Sequence, residues 1–263
     1  MNDSLQGQVI VVTGASSGMG KAIALESARR GAKVVLIARR QVELEKVASQ
    51  VRDLGGEVVV LPADLSKADA ISTLFQRLVQ AVKQVDVLVN AAGFGKFGEF
   101  VHSDMQTVTD MFQVNVLGLM YFTRLVGRLM IDQKHGQIVN FGSIAGKVPT
   151  AKSAAYSASK AAVIQFSNVL RLELKPFGVH VMTVNPGPVY TNFFNIADAS
   201  GKYLQNVEAF VLDPDDVAWE VVHFFGTNKR ELNLPLSLSL ACKFYNLFPT
   251  IGDYISLKVA SLK

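Results

Sequence analysis

Short apolar runs recur along the chain, and each is followed by a turn and then by a segment with helical periodicity. The runs are continuous rather than alternating, which is typical of strands buried on both faces of a parallel sheet. Strands that alternate with helices predict an α/β, doubly wound parallel sheet with helices on both faces, which binds ligands at the carboxyl ends of its strands. The predicted strands lie within Gln8–Thr13, Lys33–Ala38, Glu57–Leu61, Asp86–Val89, Gly136–Phe141 and Val179–Val184.

The composition fits a folded chain with a large core. Of the 263 residues, 49% are hydrophobic and 18% are charged, which excludes a disordered chain or a coiled coil. This length suits one large domain, 1–263. The formal charge is +4, but the basic residues are scattered without a run of five, so we expect no nucleic-acid partner.

The sequence shows neither a targeting pattern nor a pattern of metal ligands. The start of the sequence lacks the pattern of a signal peptide, no stretch reaches about 18 consecutive apolar residues, and the one cysteine cannot form an intramolecular disulfide. We therefore expect a cytoplasmic protein. The histidines share no ligand spacing, so no metal site is expected. They are His102, His135, His180 and His223.

A glycine-rich turn follows the first strand and opens the first helix. It contains Gly14, Gly18 and Gly20, in the spacing Gly-x3-Gly-x-Gly. Glycines there let backbone N–H groups at a helix N-terminus approach a pyrophosphate. Strand-to-helix turns also use glycine for geometry alone, so the turn leaves nucleotide binding open.

The ends of the second and third strands carry candidate contacts to the adenosine half of a dinucleotide. Arg39 and Arg40 stand where a carboxylate would accept from a ribose 2′-hydroxyl. An arginine there pairs with a 2′-phosphate, so we expect NADP(H) in preference to NAD(H), with Arg39 as the first contact. The alternative is a solvated helix start. Asp64 is expected at the adenine edge, at the cap of a helix beginning near Lys67, or both.

A phenol and an ammonium share one helix face after the fifth strand. Tyr156 and Lys160 are four residues apart, which places them on the same side of a helix. A fixed positive charge favours phenolate and lowers the pKa of the phenol, which makes it a better proton-transfer group near neutral pH. An ordinary half-exposed helix face has the same spacing, so the pair needs further support.

That support comes from a set of motifs in order along the chain. They are Thr13-Gly14-x3-Gly18-x-Gly20, Asp64, Asn90-x-Ala92-Gly93, Asn115, Ser143, Tyr156-x3-Lys160 and Pro186-Gly187-x-Val189-x-Thr191. Together they resemble the classical short-chain dehydrogenase/reductase family, in its NADP-preferring type, over roughly residues 8–191. The resemblance implies a single Rossmann-like domain of about seven strands, with the last strand within Arg230–Leu234, and a homodimer or homotetramer.

The resemblance also assigns roles. Tyr156 would be the general acid or base, Lys160 would bind the nicotinamide ribose and lower the Tyr156 pKa, and Ser143 would hydrogen-bond the reacting oxygen. Asn115 would hold a water in a proton relay. Ala91 departs from a frequent family asparagine, and Pro188 is a second mild departure. The implied cofactor-binding residues are Gly14, Ser16, Ser17, Gly18, Met19, Gly20, Arg39, Asp64, Leu65, Asn90, Ala91, Gly93, Tyr156, Lys160, Pro186, Gly187, Val189 and Thr191.

Aromatic residues flank the predicted site on both sides. If they line a cleft, they favour an apolar carbonyl substrate, and otherwise they belong to the core. Residues 192–213 are expected to cover the substrate. The aromatic residues are Phe193, Phe194, Tyr203 and Phe210 on one side, and Phe94, Phe97 and Phe100 on the other.

The tail, residues 235–263, is more apolar than an exposed terminus needs to be. Its pattern predicts two short amphipathic helices broken near Pro249. Packing over the substrate lobe or a subunit interface is favoured over attachment to a membrane surface, which stays open.

The leading hypothesis is an oxidoreductase that transfers hydride between NADP(H) and a small-molecule carbonyl or secondary alcohol. The alternative is a non-catalytic NADP-binding regulator or scaffold of the same fold. Four intact catalytic candidates argue against this alternative, because a regulator has no chemical need for all of them.

Overall fold

The structure is a computed structural model that describes residues 4–198 and 211–261. Within these ranges seven parallel strands form one sheet in the order β3-β2-β1-β4-β5-β6-β7. The doubly wound prediction is confirmed, since the strand order reverses between β1 and β4. The strands are β1 (Val9–Thr13), β2 (Lys33–Ala38), β3 (Val58–Pro62), β4 (Val87–Asn90), β5 (Gly136–Phe141), β6 (Val179–Pro186) and β7 (Glu231–Leu234).

Helices cover both faces of the sheet. They are α1 (Gly18–Arg29), α2 (Gln41–Asp53), α3 (Ala68–Ala81), α4 (Met105–Phe112), α5 (Leu119–Gln133), α6 (Ala154–Leu174), α7 (Phe193–Ala197), α8 (Pro214–His223), α9 (Leu236–Leu247) and α10 (Pro249–Ser261). Strand β1 shows why its apolar run is continuous. Ile10 and Val12 pack with α1, α2 and α8, whereas Val9 and Val11 pack with α3 and α5 on the other face.

The helix from α4 to α5 is continuous but contains one wide turn. A π-helical segment, Gln113–Gly118, joins α4 to α5 and carries Asn115. Among the described residues, Met105–Gln133 is the one helix with the length and apolar composition to cross a membrane. Its residues Phe122, Val126 and Met130 are completely buried against the sheet, which is the behaviour of a core helix.

The cap of α3 and the end of β6 differ from the expectations. Helix α3 begins at Ala68 with Lys67 at its cap, so the capping role expected for Asp64 is wrong. Asp64 instead accepts hydrogen bonds from N and Oγ of Ser66, at 3.0 and 2.8 Å, in a local turn. Strand β6 continues to Pro186, which brings the Pro186-Gly187 motif directly onto the sheet edge.

The end of the described chain forms two helices, as predicted. Strand β7 is followed by α9 and, after Phe248, by α10, which begins at Pro249. We call α9 and α10 together the hairpin. Its first helix contacts β7 and the 3-10 turn Ile144–Gly146, so it lies over the carboxyl edge of the sheet.

Candidate active site

The glycine turn lies at the point where the strand order reverses. Thr13, the last residue of β1, accepts a hydrogen bond from N of Ala92 through its Oγ1 at 3.2 Å, which joins the ends of β1 and β4. A Cβ on Gly14 would lie 2.8 Å from the backbone of Ala92. The chain therefore needs glycine at this position, because two backbones pass too closely for any side chain.

Two further glycines shape the start of α1. Gly18 has a φ of +54°, which is a left-handed conformation that glycine adopts without strain. A Cβ on Gly20 would collide with the carbonyl oxygen of Gly14. The two positions fold the turn tightly against the first residues of the helix.

The amide groups at the start of α1 are open to an anionic group. The N-cap residue Ser17 makes no side-chain capping bond, and the first turn contains no acidic residue. The N-terminus of a helix attracts anions, and the turn containing Ser16, Ser17 and Met19 passes around it. These features fit the pyrophosphate of a dinucleotide.

Arg39 and Asp64 stand together at the neighbouring ends of β2 and β3. These strands pair up to Ala38 and Pro62, and N of Ala63 donates to O of Ala38 at 3.0 Å. Burial alone would raise the pKa of Asp64, but the hydrogen bonds from Ser66 and the charge of Arg39 hold it below its ordinary value. Arg39 is exposed, so its guanidinium is accessible to a ligand.

Asn90 and Leu65 contribute to the interior rather than to the open site. The Asn90 amide donates to Oγ1 of Thr123 and to Oδ1 of Asn140, both at 2.9 Å, and the residue is buried. Leu65 belongs to the core on the α3 and α5 face. The structure thus gives the Asn90 side chain a place between β4, β5 and α5, away from the cavity described below.

Lys160 is a buried ammonium beside Tyr156. Its Nζ donates to O of Phe141 at 2.8 Å and lies 5.9 Å from the centre of the Tyr156 ring. Only 7% of Lys160 is exposed, and burial lowers the pKa of its ammonium to about 8. The half-exposed helix face considered as an alternative is excluded, because Tyr156 is also buried.

Asn115 supports this pair from the π-helical segment. Its Oδ1 accepts from N of Phe94 at 3.0 Å, and its Nδ2 donates to O of Phe94 at 2.9 Å and to Oγ of Ser159 at 3.2 Å. Ser159 in turn donates to O of Tyr156 at 2.7 Å. Asn115 therefore links the segment after β4 to the helix of Tyr156.

Gly93 lies close to both Asn115 and Lys160, where there is no room for a side chain. A Cβ at this position would lie 2.9 Å from Oδ1 of Asn115 and 3.6 Å from Nζ of Lys160. A side chain there would push these two polar groups apart. The glycine keeps the surroundings of Lys160 compact.

Ser143 lies at the end of β5, on the same sheet edge. Its Oγ accepts from N of Ala145 at 3.1 Å and is 3.5 Å from the carbonyl oxygen of Pro186. Gly187 donates to O of Leu234 at 2.7 Å, and Thr191 lies against Gly18. The loop after β6 thereby connects Ser143 with the glycine turn.

A cavity of about 450 Å³ joins these parts. Among the described residues that line it, Lys160 is the one with a charged side chain. Asn115, Arg39, Asp64 and the glycines of the turn do not line the cavity. The predicted site residues that line it are Met19, Ala91, Gly93, Ser143, Tyr156, Lys160, Pro186, Gly187, Val189 and Thr191.

Aromatic rings form one wall of the cavity. Phe97 and Phe193 lie 5.8 and 5.5 Å from the Tyr156 ring, centre to centre, and Phe194 packs against Phe193. Of the two alternatives left open for the aromatic residues, the cleft does not apply to Phe94 and Phe100, because they do not line the cavity. Phe94 instead holds Asn115 through its backbone, and Phe100 is 51% exposed. Tyr203 and Phe210 lie outside the described residues.

The hairpin supplies another wall. The sequence favours packing of this tail over the substrate lobe or a subunit interface, but none of its residues was predicted to line the site. On α9 the lining residues Leu238, Ala241, Phe244 and Tyr245 recur at spacings of three and four, and on α10 Gly252 and Ser256 are four apart. Each set therefore shares one helix face. This spacing is the signal in the sequence that could have found them.

The chain is similar in sequence to known oxidoreductases. The family model described as short chain dehydrogenase matches residues 8–200. An uncharacterized oxidoreductase of Staphylococcus saprophyticus is 36% identical over 220 residues, covering 83% of this chain and 91% of that protein. Ketoacyl reductase HetN of Nostoc sp. is 36% identical over 186 residues, covering 71% of this chain and 65% of that protein.

Solved structures share the fold. A short-chain dehydrogenase from Sphingobium yanoikuyae in complex with NADPH has a TM-score of 0.80 and 29% identity, covering 95% of each chain. A short chain dehydrogenase/reductase from Burkholderia phymatum in complex with NAD has a TM-score of 0.87 and 25% identity, covering 94% of this chain and 96% of that one. Neighbours of this fold therefore hold either nicotinamide cofactor.

Proposed function

The chain belongs to the short-chain dehydrogenase family, and we propose that it transfers hydride between NADP(H) and an apolar carbonyl compound or secondary alcohol. The observation that supports this most is the buried Lys160 ammonium beside Tyr156, with Ser143 lining the same cavity. When bound, the cofactor supplies the hydride in reduction and accepts it in oxidation.

The side chains of the site supply and accept the proton that accompanies hydride transfer. In reduction Tyr156 donates its phenolic proton to the carbonyl oxygen while the carbonyl carbon gains hydride, and in oxidation the phenolate takes the proton back. The ammonium of Lys160 stabilises the phenolate, since opposite charges attract strongly in a buried site. Ser143 donates a hydrogen bond to the reacting oxygen, and Asn115 holds the backbone beside Lys160 in place.

The cavity wall favours a substrate without charge. A buried carboxylate or phosphate needs a paired cation, and the one cation among the described lining residues, Lys160, belongs to the proton-transfer site. Phe97, Phe193 and the hairpin present apolar surface instead. An uncharged carbonyl with an apolar body fits these surroundings.

Turnover of an uncharged carbonyl panel with NADPH tests the proposed reaction. We expect Tyr156→Phe to lower turnover by about a thousandfold, because the proton donor is lost, while NADPH affinity changes less than about twofold. Tyr121→Phe is the matched control, since Tyr121 is 44% exposed on α5 and should keep full turnover. A wild type without turnover on the whole panel would favour the regulator or scaffold, and a Tyr156→Phe variant that turns over as fast as the wild type would reject Tyr156 as the proton donor.

Cofactor choice is tested separately. Arg39 is exposed at the end of β2, where a guanidinium can pair with a 2′-phosphate. We expect Arg39→Ala to lower kcat/KM for NADPH about tenfold and to leave NADH unaffected, as for the loss of one charged hydrogen-bonding group. Arg40→Ala is the control. Equal losses with both cofactors, or better rates of the wild type with NADH, would reject the NADP(H) preference.

A further inference from the structure

The hairpin has a second face, on the side away from the cavity. Eight large apolar side chains of α9, α10 and the residue between them are more than 40% exposed. Contiguous apolar patches of this kind mark sites that contact a membrane or another protein. Seven of them lie on the outer side, namely Leu236, Leu240, Leu247, Phe248, Ile251, Tyr254 and Leu257, and the eighth, Phe244, also lines the cavity.

On α9 the exposed residues form one stripe. Leu236, Leu240 and Leu247 are 74%, 60% and 73% exposed, and their spacing of four and seven places them along one helix face. Lys243 falls within the same stripe and is also exposed. A lysine can keep its ammonium in water or at a phosphate while its stem lies along apolar surface.

Helix α10 continues the apolar surface. Ile251, Tyr254 and Leu257 are 52%, 60% and 66% exposed, at intervals of three residues. Tyrosine suits the boundary between an apolar layer and water, because its ring is apolar and its hydroxyl is polar. The hairpin thus carries an amphipathic surface on both of its helices.

Charge distinguishes a lipid surface from a second copy of the chain. Residues 235–263 contain three lysines and one aspartate, Asp253, which accepts a hydrogen bond from the Tyr245 hydroxyl at 3.0 Å. The side-chain charge of this part of the sequence is therefore +2, and a two-fold dimer through the hairpin would bring two copies of the same charged segment together. Anionic head groups attract lysines, so charge complementarity favours the lipid.

The inner face of the hairpin lines the cavity and its outer face is exposed, so a bilayer bound to the outer face would lie near the cavity. Leu238 and Tyr245 line the cavity, while Leu240 and Leu247 of the same helix are exposed. A carbonyl compound dissolved in a bilayer under the hairpin would be separated from the cavity by one layer of helices, about 10 Å thick. It would avoid transfer of its apolar body through water.

We propose that the outer face of the α9–α10 hairpin docks on an anionic lipid bilayer, from which the cavity takes an apolar carbonyl substrate. The docking stands on the surface of the hairpin alone, whereas the delivery of substrate rests on the proposed oxidoreductase function. Packing over the cavity and attachment to a membrane are thus both accommodated, on opposite faces of the same helices.

Sedimentation of the full chain with vesicles tests the docking. We expect the wild type to sediment with vesicles of phosphatidylcholine and phosphatidylglycerol at low salt, and to bind vesicles of phosphatidylcholine alone less tightly. Added salt should release it, because salt screens exposed charges. A wild type that stays in the supernatant with both kinds of vesicle overturns the proposal.

Variants locate the surface. We expect Leu240→Gln and Leu247→Gln each to lower vesicle affinity roughly tenfold, since each removes an apolar side chain from the lipid layer. Val42→Gln is the control, because Val42 is 69% exposed on α2 and should bind as the wild type does. Lys243→Gln should weaken binding to anionic vesicles only. Equal binding by all four variants overturns the proposal.

Turnover of a water-soluble carbonyl without lipid, together with urea unfolding, shows that each variant is folded.

If Leu240→Gln dissociates an oligomer and the wild type does not bind vesicles, the surface holds a second copy, and the lipid proposal is wrong. Wild type that binds vesicles but reduces no carbonyl would reject the proposed function and leave the docking intact. Anionic vesicles that do not raise kcat/KM for a long-chain ketone would reject the delivery of substrate.

Discussion

Two regions border the same cavity but are built in opposite ways. At the glycine turn, backbone packs on backbone, and a single Cβ on Gly14 or Gly20 would overlap main-chain atoms. At the hairpin, side chain packs on side chain, and a Cβ on Gly252 would meet the ring of Tyr245. A methyl group on Gly14 or Gly20 would fit only if the backbone of the sheet moved, whereas a methyl group on Gly252 would fit if the Tyr245 ring moved.

The two regions suit different ligands, the glycine turn the cofactor and the hairpin the substrate. A dinucleotide has many rotatable bonds, and a rigid turn can hold its pyrophosphate in one position at the switch point of the sheet. The hairpin adds an apolar wall to that rigid part, and most of its large side chains remain partly exposed. Rigidity is therefore expected where the cofactor binds and adaptability where the substrate body lies.

The largest effect is expected from a methyl group in the turn. Gly20→Ala should lower the free energy of unfolding by about 3 kcal/mol, because overpacked backbone has no free space to move into. NADPH affinity should fall at least about a hundredfold. Urea unfolding and NADPH titration measure the two changes. Gly98→Ala is the matched control, since nothing lies within 4 Å of a Cβ there. Equal behaviour of the two variants would refute the backbone contact.

The next effect separates catalysis from stability at Lys160. Lys160→Met should lower turnover about a hundredfold, because the phenolate of Tyr156 loses its stabilising charge. Its unfolding free energy should not fall below that of the wild type, since a buried ammonium is costly and methionine fills a similar volume. Turnover and urea unfolding at pH 7 provide the measurements. A loss of stability as large as that of Gly20→Ala would mean that the fold requires the ammonium.

The pH dependence of stability provides a third test. Burial lowers the Lys160 pKa from 10.5 to about 8, so between these values the unfolded chain binds more protons than the folded one, and stability rises with pH. Below pH 8 the full cost of the buried charge is present. From pH 8 to 10.5 the wild type should gain of the order of 3 kcal/mol relative to Lys160→Met. Parallel curves for the two proteins would contradict the burial of the charge.

The smallest effect is expected from the same substitution in the hairpin. Gly252→Ala should lower the unfolding free energy by about 1 kcal/mol, because the group it meets is the half-buried ring of Tyr245, which can shift more easily than backbone. It should raise KM for an apolar carbonyl a few-fold by shifting Tyr245, which lines the cavity. Steady-state kinetics measures this change. A stability loss near that of Gly20→Ala would remove the contrast between the regions.

The sequence placed the strands well because short continuous apolar runs, each bounded by turn residues and followed by a helical pattern, are typical of strands buried on both faces. Each predicted strand overlaps an observed one, with differences of one or two residues at the ends. It was less accurate for polar side chains at strand ends. Asp64 bonds to Ser66 rather than capping α3, and Asn90 faces the interior, since both outcomes depend on which neighbours pack beside them.

The sequence by itself determined the doubly wound sheet, the glycine turn and the pairing of Tyr156 with Lys160. These features follow from periodicity and from spacings within one element. The tertiary structure alone decided that Phe141 accepts from Lys160, that Gly93 separates Lys160 from Asn115, and that the hairpin has one face on the cavity. Such contacts join residues far apart in the chain, and only the packing of complete elements brings them within reach.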